Sequence, residues 1–537
     1  MVRAFCAAFA SMVLLLSGGG AQAGTPRDAL VIAWNLDALI TFDPPQIGEV
    51  NGNDIIVANV CSTLAQYDPK DSSKILPGMA ESWSSSPDGL TLTFKLRSDL
   101  KFPDGTPATA EDAAWSLQRA VLLGYFSSAT LTQWGFNKEE IADQIQAADA
   151  TTLVLKLTKP YPAPLLLSAA FANNNVAVIM SKAVGTKNAK ITDGKSDLGN
   201  AFFKTAPVCV GPYHVARWDA NDVVILERNE NYYGPRPGLK RIIIRHVPES
   251  SAQRLLLEKG DIDVARLLST DDLKALEPNK DIRIEQTLMQ QMAYMALNTN
   301  DPILGNPKVR EAFRYLIDYD GLTNTILPYK GVPRADLVPE GAFAALDRKE
   351  GQPFSLDLAK AKQLLTEAGY PDGFSKKMIL SANDINPAIA QHIATNAAKV
   401  GIKLELEQMA DANLFTRGRN RDFEVQLVGW GAGYPDADAM VSRHAADPDP
   451  RAEAKLVGYP VWRTGWQNLD INAKAEAARL EQDPAKRAAI YKDIQEFMLH
   501  NGPMAYIYQN IRPIAVRSSV KGFEIAPFFV DYASASK

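Results

Sequence analysis

Residues 1–23, MVRAFCAAFASMVLLLSGGGAQA, constrain the rest of the chain more than any other segment. Arg3 is their single charge, an apolar stretch covers 4–16, and small residues lead to Ala21-Gln22-Ala23. A basic start, an apolar middle and an A-x-A site make up a cleaved secretory signal. A membrane anchor is the weaker reading, because the apolar run is about 13 residues where a span needs about 20. No cysteine stands at the cleavage point, and Cys6 lies too far forward to carry a lipid there. The remainder is therefore expected to fold after export, in an oxidising compartment, and it holds no second long apolar run. It keeps Cys61 and Cys209. Those two are either bonded or separately buried, and sequence alone does not fix their distance.

The chain is long enough, at 537 residues, to bury several cores. Its 46% hydrophobic and 22% charged residues are those of a soluble globular protein. The net charge of -5 argues against a nucleic-acid partner, which selects a basic face. Three cysteines in all exclude a disulfide-dense scaffold and a four-cysteine zinc site.

Local patterns mix strands and helices throughout, which predicts an α/β or α+β class. Residues 30–34 form a short apolar strand, and Leu90, Leu92, Phe94 and Leu96 alternate after the turn Ser86-Pro87-Asp88-Gly89. Leu153, Leu155 and Leu157 alternate again, and 223–226 and 242–244 read as strands. Residues 55–64 have helical spacing, which puts Cys61 in a helix. Thr109 to Asp112 opens a helix reaching about Val121, with Ala113, Leu117 and Ala120 on one face. Asp357 caps another that Gly369 ends, and Asp483-Pro484 starts a third carrying Ile490, Tyr491, Ile494, Phe497 and Met498. There is no short repeat, low-complexity tract or Gly/Ser linker, so the lobes should be joined by ordered crossing segments.

Catalytic motifs are missing. There is no G-x-S-x-G elbow and no H-E-x-x-H. Asp193-Gly194-Lys195-Ser196 resembles the end of a phosphate loop, but Ala189 replaces the leading glycine, so it reads as a surface turn. Asp436, Asp438, Asp447 and Asp449 lack the ligand order of a calcium loop and read as solvated loop carboxylates. The five histidines, His214, His246, His392, His444 and His500, include no i, i+4 pair. Neither a metal nor a cofactor is expected.

Five segments resemble the peptide-type, family 5 solute-binding proteins of ABC importers, which include periplasmic oligopeptide- and dipeptide-binding proteins. The most specific is LPGMAESWSSSPDGLTLTFKLRSDLKFPDGTPATAEDAAWSLQRA at 76–120. The others are VGPYHVARWDANDVVILERNENYYG at 210–234, ALNTN at 296–300 with PKVREAFRYLIDYDGL at 307–322, AKQLLTEAGYPDGF at 361–374, and GWGAGYPDAD at 429–438. The resemblance implies a large, cluster C type, two-lobe periplasmic-binding-protein fold with an extra subdomain and a two-strand hinge. Lobe I would be discontinuous, over 24–66, 181–288 and 506–537. The extra subdomain would cover 67–180 and lobe II 289–505. It implies a periplasmic, non-enzymatic monomer that closes on a peptide, modified peptide, opine or sugar conjugate. Its partners would be an inner-membrane ABC permease and its ATPase subunits.

By the same resemblance, Gly429, Trp430 and Gly431, after the strand 425–428, would form the ligand-pairing edge, the glycines admitting another backbone. Glu49 and Val50 would lie on the first lobe's cleft loop. Asn174, between Asn173 and Asn175, offers an amide to the ligand. Gly433, Tyr434 and Asp436 continue the cleft loop, and one of Tyr506 and Tyr508 at the return crossing would face the ligand. Both cysteines would belong to one lobe near the cleft, where a bridge would staple it. Two departures stand out. Peptide-binding relatives commonly carry an aspartate at the position of Gly433, and dipeptide-type members an arginine at that of Asn383. Asp436 or Asp438, and Arg417 or Arg419, are the candidate substitutes for these charges. Without the standard pair, a simple dipeptide is disfavoured, because charged ends must find partners on enclosure. The alternatives are a secreted hydrolase with paired cleft carboxylates, a sensor, and a metal-chelate receptor for which His444 is the only support.

Overall fold

Alternating apolar residues and short apolar runs become strands of one large sheet. The computed structural model describes residues 24–48, 50–383 and 385–537, with only the backbone of Asn51. The leader and Glu49, both singled out above, lie outside the described residues. Ala29–Trp34, buried along its whole length, sits mid-sheet, paired parallel to Arg241–His246 and to Val264–Ala265. Val223–Arg228 and Tyr213–Asp219 extend that side to its edge. The other side holds Val425–Gly431, Phe374–Ser381 and Ile402–Met409. Two long antiparallel strands, Ile282–Leu297 and Met504–Arg517, run between these halves and pair with one another. At about 3.3 Å per residue each is roughly 50 Å long, enough to pass through both halves. Together these strands make an 11-stranded mixed sheet, completed by Gly331–Pro333.

A separate four-stranded antiparallel sheet orders Ala80–Ser85, Thr91–Leu96, Thr152–Lys156 and Ile145–Asp149. Leu92, Phe94 and Leu96 point into its core, as the alternation predicts. The helix Ala110–Leu123 packs on it, burying Ala113, Leu117 and Ala120. The Asp112 carboxylate accepts from the Thr109 amide at 3.0 Å, and Gly124 closes the helix at φ 68°. Asp357 caps Leu358–Glu367 and Asp483 caps Pro484–Asn501.

Buried side chains fall into distinct clusters. One gathers Leu30, Phe42, Ile55, Val178, Ile242 and Val516. A second gathers Met295, Phe313, Leu365, Ile393, Leu427 and Tyr508. The largest combines the four-stranded sheet with residues from 428–498. Cys61 and Cys209 are buried in the first cluster and bonded, with Cα atoms 5.0 Å apart.

Two local expectations are corrected. The helix in this region is Val50–Ile56, so 57–64 is not helical and Cys61 lies beyond the helix. Nearly every side chain from 55 to 64 is buried, so apolar spacing carries no period there. Ala58 turns the chain at φ 72°, and Asn59 holds the turn, donating to the Asp54 and Val530 carbonyls at 2.9 and 2.7 Å. The second correction concerns the loop carboxylates. Asp436, Asp438 and Asp447 are 4%, 1% and 0% exposed, not solvated: Arg487 satisfies Asp436 and Tyr491 reaches Asp438, whereas the Asp447 carboxylate accepts only from the Asp449 amide. The segment around Asp193 and Gly194 is an exposed two-strand turn, both residues at positive φ.

Candidate functional site

A cleft of about 420 Å³ takes its walls from both halves of the chain. The first half contributes Val50, Asn53 and Asp54 on the short helix, Phe126 and Ser127 after the helix Ala110–Leu123, and Asn174. The second contributes Met289, Gln290 and Gln291 on one crossing strand, and Gly431, Ala432 and Gly433. Arg512, on the other crossing strand, and Phe528 close the floor. Phe126 is 80% exposed and Val50 56%. Two open apolar groups on a cleft wall are suited to an apolar part of a ligand.

One edge of Val425–Gly431 is engaged and the other is released part-way. Gly429, Trp430 and Gly431 pair with Ala293, Met292 and Gln291. On the opposite side, pairing to Phe374–Ser381 stops at Leu427. The backbone from Val428 to Gly431 is therefore a free strand edge, and its end leads into the cleft. Gly429 and Gly431 are exposed, so a second extended backbone meets no side chain there. A Cβ added at Gly433 would find nothing within 4 Å.

The floor carries a charged cluster. The Asp54 carboxylate, 1% exposed, accepts from Arg266 at 2.6 Å and Arg512 at 3.3 Å, both on Oδ2. Trp34 lies under the Arg266 guanidinium, which also donates to the Tyr532 hydroxyl. Burial opposes the charge on Arg266, but Tyr532 and Asp54 outweigh it and its pKa rises. Burial dominates at Arg512 and lowers its pKa, Asp54 opposing. Gln290 also lines the cleft. Its amide donates to the Glu340 carbonyl at 3.0 Å, and its buried oxygen has no partner among the described residues.

Of the residues marked from sequence, Val50, Asn174, Gly431 and Gly433 meet on the cleft wall. Asn175 reaches the same wall while its amide donates to the Ile47 carbonyl, and only Asn173 turns away, accepting from the Tyr67 amide at φ 44°. Six others lie off that wall, Gly429 and Trp430 on the strand that leads into it and Tyr434, Asp436, Tyr506 and Tyr508 farther away. Asp436 caps the helix Ala437–His444 and takes a two-pronged pair from Arg487 at 2.7 and 2.8 Å. Its pKa is raised by burial, Arg487 opposing. The Tyr434 hydroxyl donates to Asp438, which also accepts from Tyr491. Tyr506 and Tyr508 are each 5% exposed. Register shifts along the crossing strands send them to different clusters, Tyr506 beside His444 and Tyr508 under Gly331. Trp430, half-buried, stands behind the strand edge with its ring 5.6 Å from His444 and under the Arg463 guanidinium.

His444 is fully buried. Its Nδ1 is 2.8 Å from the Tyr506 hydroxyl, and Nε2 has no partner among the described residues. Burial, with Arg463 and Arg443 adding, pushes its pKa down to about 3, so it is neutral. Sequence reading missed Phe126, Gln290, Phe528 and Arg512. Nothing local marks them, since each reaches the cleft by long-range folding. Arg512 had one faint signal, a cation a few residues beyond the flagged tyrosines.

The halves also touch beside the cleft. Arg479 lies over the rings of Trp134 and Tyr161, Lys159 pairs with Glu476 at 2.6 Å, and Gln482 donates to the Pro160 carbonyl.

Comparisons with known proteins point one way. The family model for bacterial extracellular solute-binding proteins, family 5, matches residues 74–449. The "Probable D,D-dipeptide-binding periplasmic protein DdpA" of Escherichia coli (strain K12) is 28% identical over 522 residues, 96% of this chain and 95% of that protein. A Helicobacter pylori ABC transporter-associated periplasmic binding protein, DppA, solved with the peptide STSA, superposes with a TM-score of 0.74. It is 23% identical and covers 95% of this chain and 98% of its own. The binding protein AgaA from A. tumefaciens R10, solved with agropinic acid, gives a TM-score of 0.71 at 24% identity, over 94% and 96%. The solved structures establish likeness of fold. No described helix is long and apolar enough to cross a membrane.

Proposed function

The chain belongs to the bacterial extracellular solute-binding proteins of family 5, and from that premise we propose that its cleft captures a peptide or peptide-like acid, opines included. The free edge of Val425–Gly431 carries this reading. A solute laid along it gains main-chain hydrogen bonds that do not depend on its side chains, as an added strand does. Gly429 and Gly431 admit it, Val50 and Phe126 cover its apolar part, and Asn174 and Gly433 line its path. Trp430 supports the edge from behind. The solute is then released intact to a membrane permease driven by ATPase subunits.

The two crossing strands are the hinge of this reading, and closure builds half the contacts only when the ligand is present. Lobe I comprises 24–66, 181–288 and 506–537, the extra subdomain 67–180, and lobe II 289–505. The clusters support that division, one drawing on residues 30–61, 178–264 and 514–535 and another on 293–427 and 499–508. The leader 1–23 delivers the chain to the periplasm, where it acts as a monomer. A hydrolase finds less support. Among the described residues of the cleft wall Asp54 is the only carboxylate, and two arginines hold it.

The test is calorimetry with D-Ala-D-Ala, Ser-Thr-Ser-Ala and agropinic acid, alongside native mass spectrometry of protein taken from a periplasm. One equivalent bound per chain and recovered at unchanged mass is the expected result. Cleavage of the recovered compound, or no binding by this set together with an empty native spectrum, overturns it.

A further inference from the structure

Arg266, Asp54 and Arg512 place two positive charges and one negative charge at the cleft floor. Asp54 and Arg266 are almost wholly buried, and Arg512 is 13% exposed. Arg266 gives one terminal nitrogen to Asp54 and the other to the Tyr532 hydroxyl and rests on the Trp34 ring, so only its buried Nε is without a partner among the described residues. Arg512 gives one nitrogen to Asp54, at the long distance of 3.3 Å. Its guanidinium makes no other hydrogen bond among the described residues, although it has five donors. It is also the only cation among the described residues of the cleft wall. Closing two lobes over such a floor removes water from an unbalanced positive charge, a costly step unless an anion arrives with the ligand. A guanidinium with one side still open is built to take a planar carboxylate.

We infer that Arg512 is the carboxylate anchor of the cleft, so that the solute binds as an acid with its carboxylate at the floor and its backbone running out along the Gly431 edge. This rests on the peptide-like reading above and adds the direction of the ligand and the group it must carry. Gln290 complements the anchor, because its unpartnered buried oxygen accepts an N–H from the same solute.

The test uses the full mature chain and two pools of random tripeptides, identical except that one has free carboxylates and the other C-terminal amides. Thermal shift ranks the pools, and calorimetry follows with the best single tripeptide and its amide. Preference for the acid by tenfold or more, loss of that preference in Arg512→Gln and its partial retention in Arg512→Lys are expected. Asp54 keeps Arg266 in each variant, so the fold survives, and the acid–amide comparison needs no variant at all. Equal binding of acid and amide, or an undiminished preference in Arg512→Gln, overturns the anchor and leaves the peptide reading standing. Binding of neither pool removes peptides from the proposed solutes and overturns the anchor, which needs a backbone along the Gly431 edge.

Discussion

His444 should make this protein acid-sensitive by a predictable amount. Its ring is fully buried among Tyr294, Trp430 and Tyr506, and its folded pKa is about 3 against an ordinary value near 6.5. A depressed folded pKa means that the unfolded chain binds the proton more readily. The stability this neutral ring contributes is therefore fully present above pH 6.5 and is lost as pH falls towards 3. At 1.36 kcal/mol per unit, acidification from pH 7.5 to 5 costs about 2 kcal/mol, and reaching pH 3 about 4 kcal/mol. The perturbation is His444→Gln, which keeps a polar group near the Tyr506 hydroxyl and cannot titrate. Urea unfolding followed by tryptophan fluorescence, at pH 7.5 and 5.0, gives the two differences. The wild-type protein should lose about 2 kcal/mol more than the variant over that interval. Other titrating groups cancel in the comparison. Parallel losses in both proteins would refute the reasoning, and would mean that His444 charges in place or that the site opens to water.

Three further outcomes are expected. Replacing Cys61 and Cys209 by serine releases a loop of 148 residues' separation, which chain-entropy arguments value at up to about 5 kcal/mol; a thermal midpoint that does not fall in the double variant contradicts this. Arg479→Ala removes the cation resting on Trp134 and Tyr161 across the halves. It should weaken ligand binding several-fold and enlarge the liganded particle in X-ray scattering, with circular dichroism unchanged; an unaltered scattering profile counts against a closure contact. Gly433→Asp puts a carboxylate into open space on the cleft wall and should favour peptides with a free amine over their N-acetylated forms by about tenfold, the worth of one charge-assisted hydrogen bond; equal affinities show that residue 433 does not face the ligand's amine.

Much of the local structure is legible in the sequence because its causes act within a few residues. Thr109 with Asp112, Asp357 and Asp483 start helices where capping chemistry says they should. The alternation at Leu92, Phe94 and Leu96 becomes a half-buried strand. The segment 55–64 fails for an equally physical reason: when nearly every side chain is buried, the contrast that reveals a period disappears. Part of the cleft is legible through the family pattern, which points to Gly431 and Gly433, and both line the cleft.

The sequence by itself determined the mixed class, the positions of most strands and capped helices, and the family pattern. Tertiary structure decided every question of charge. Whether Asp436 is a solvated loop carboxylate or half of a buried pair depends on Arg487, 51 positions away. Whether Arg512 is an ordinary surface cation or the open charge of a cleft depends on Asp54, 458 positions away. The reason lies in what each property costs. A helix start is settled by hydrogen bonds its neighbours can make, whereas a buried charge is tolerable only where distant chain supplies the counter-charge and excludes the water.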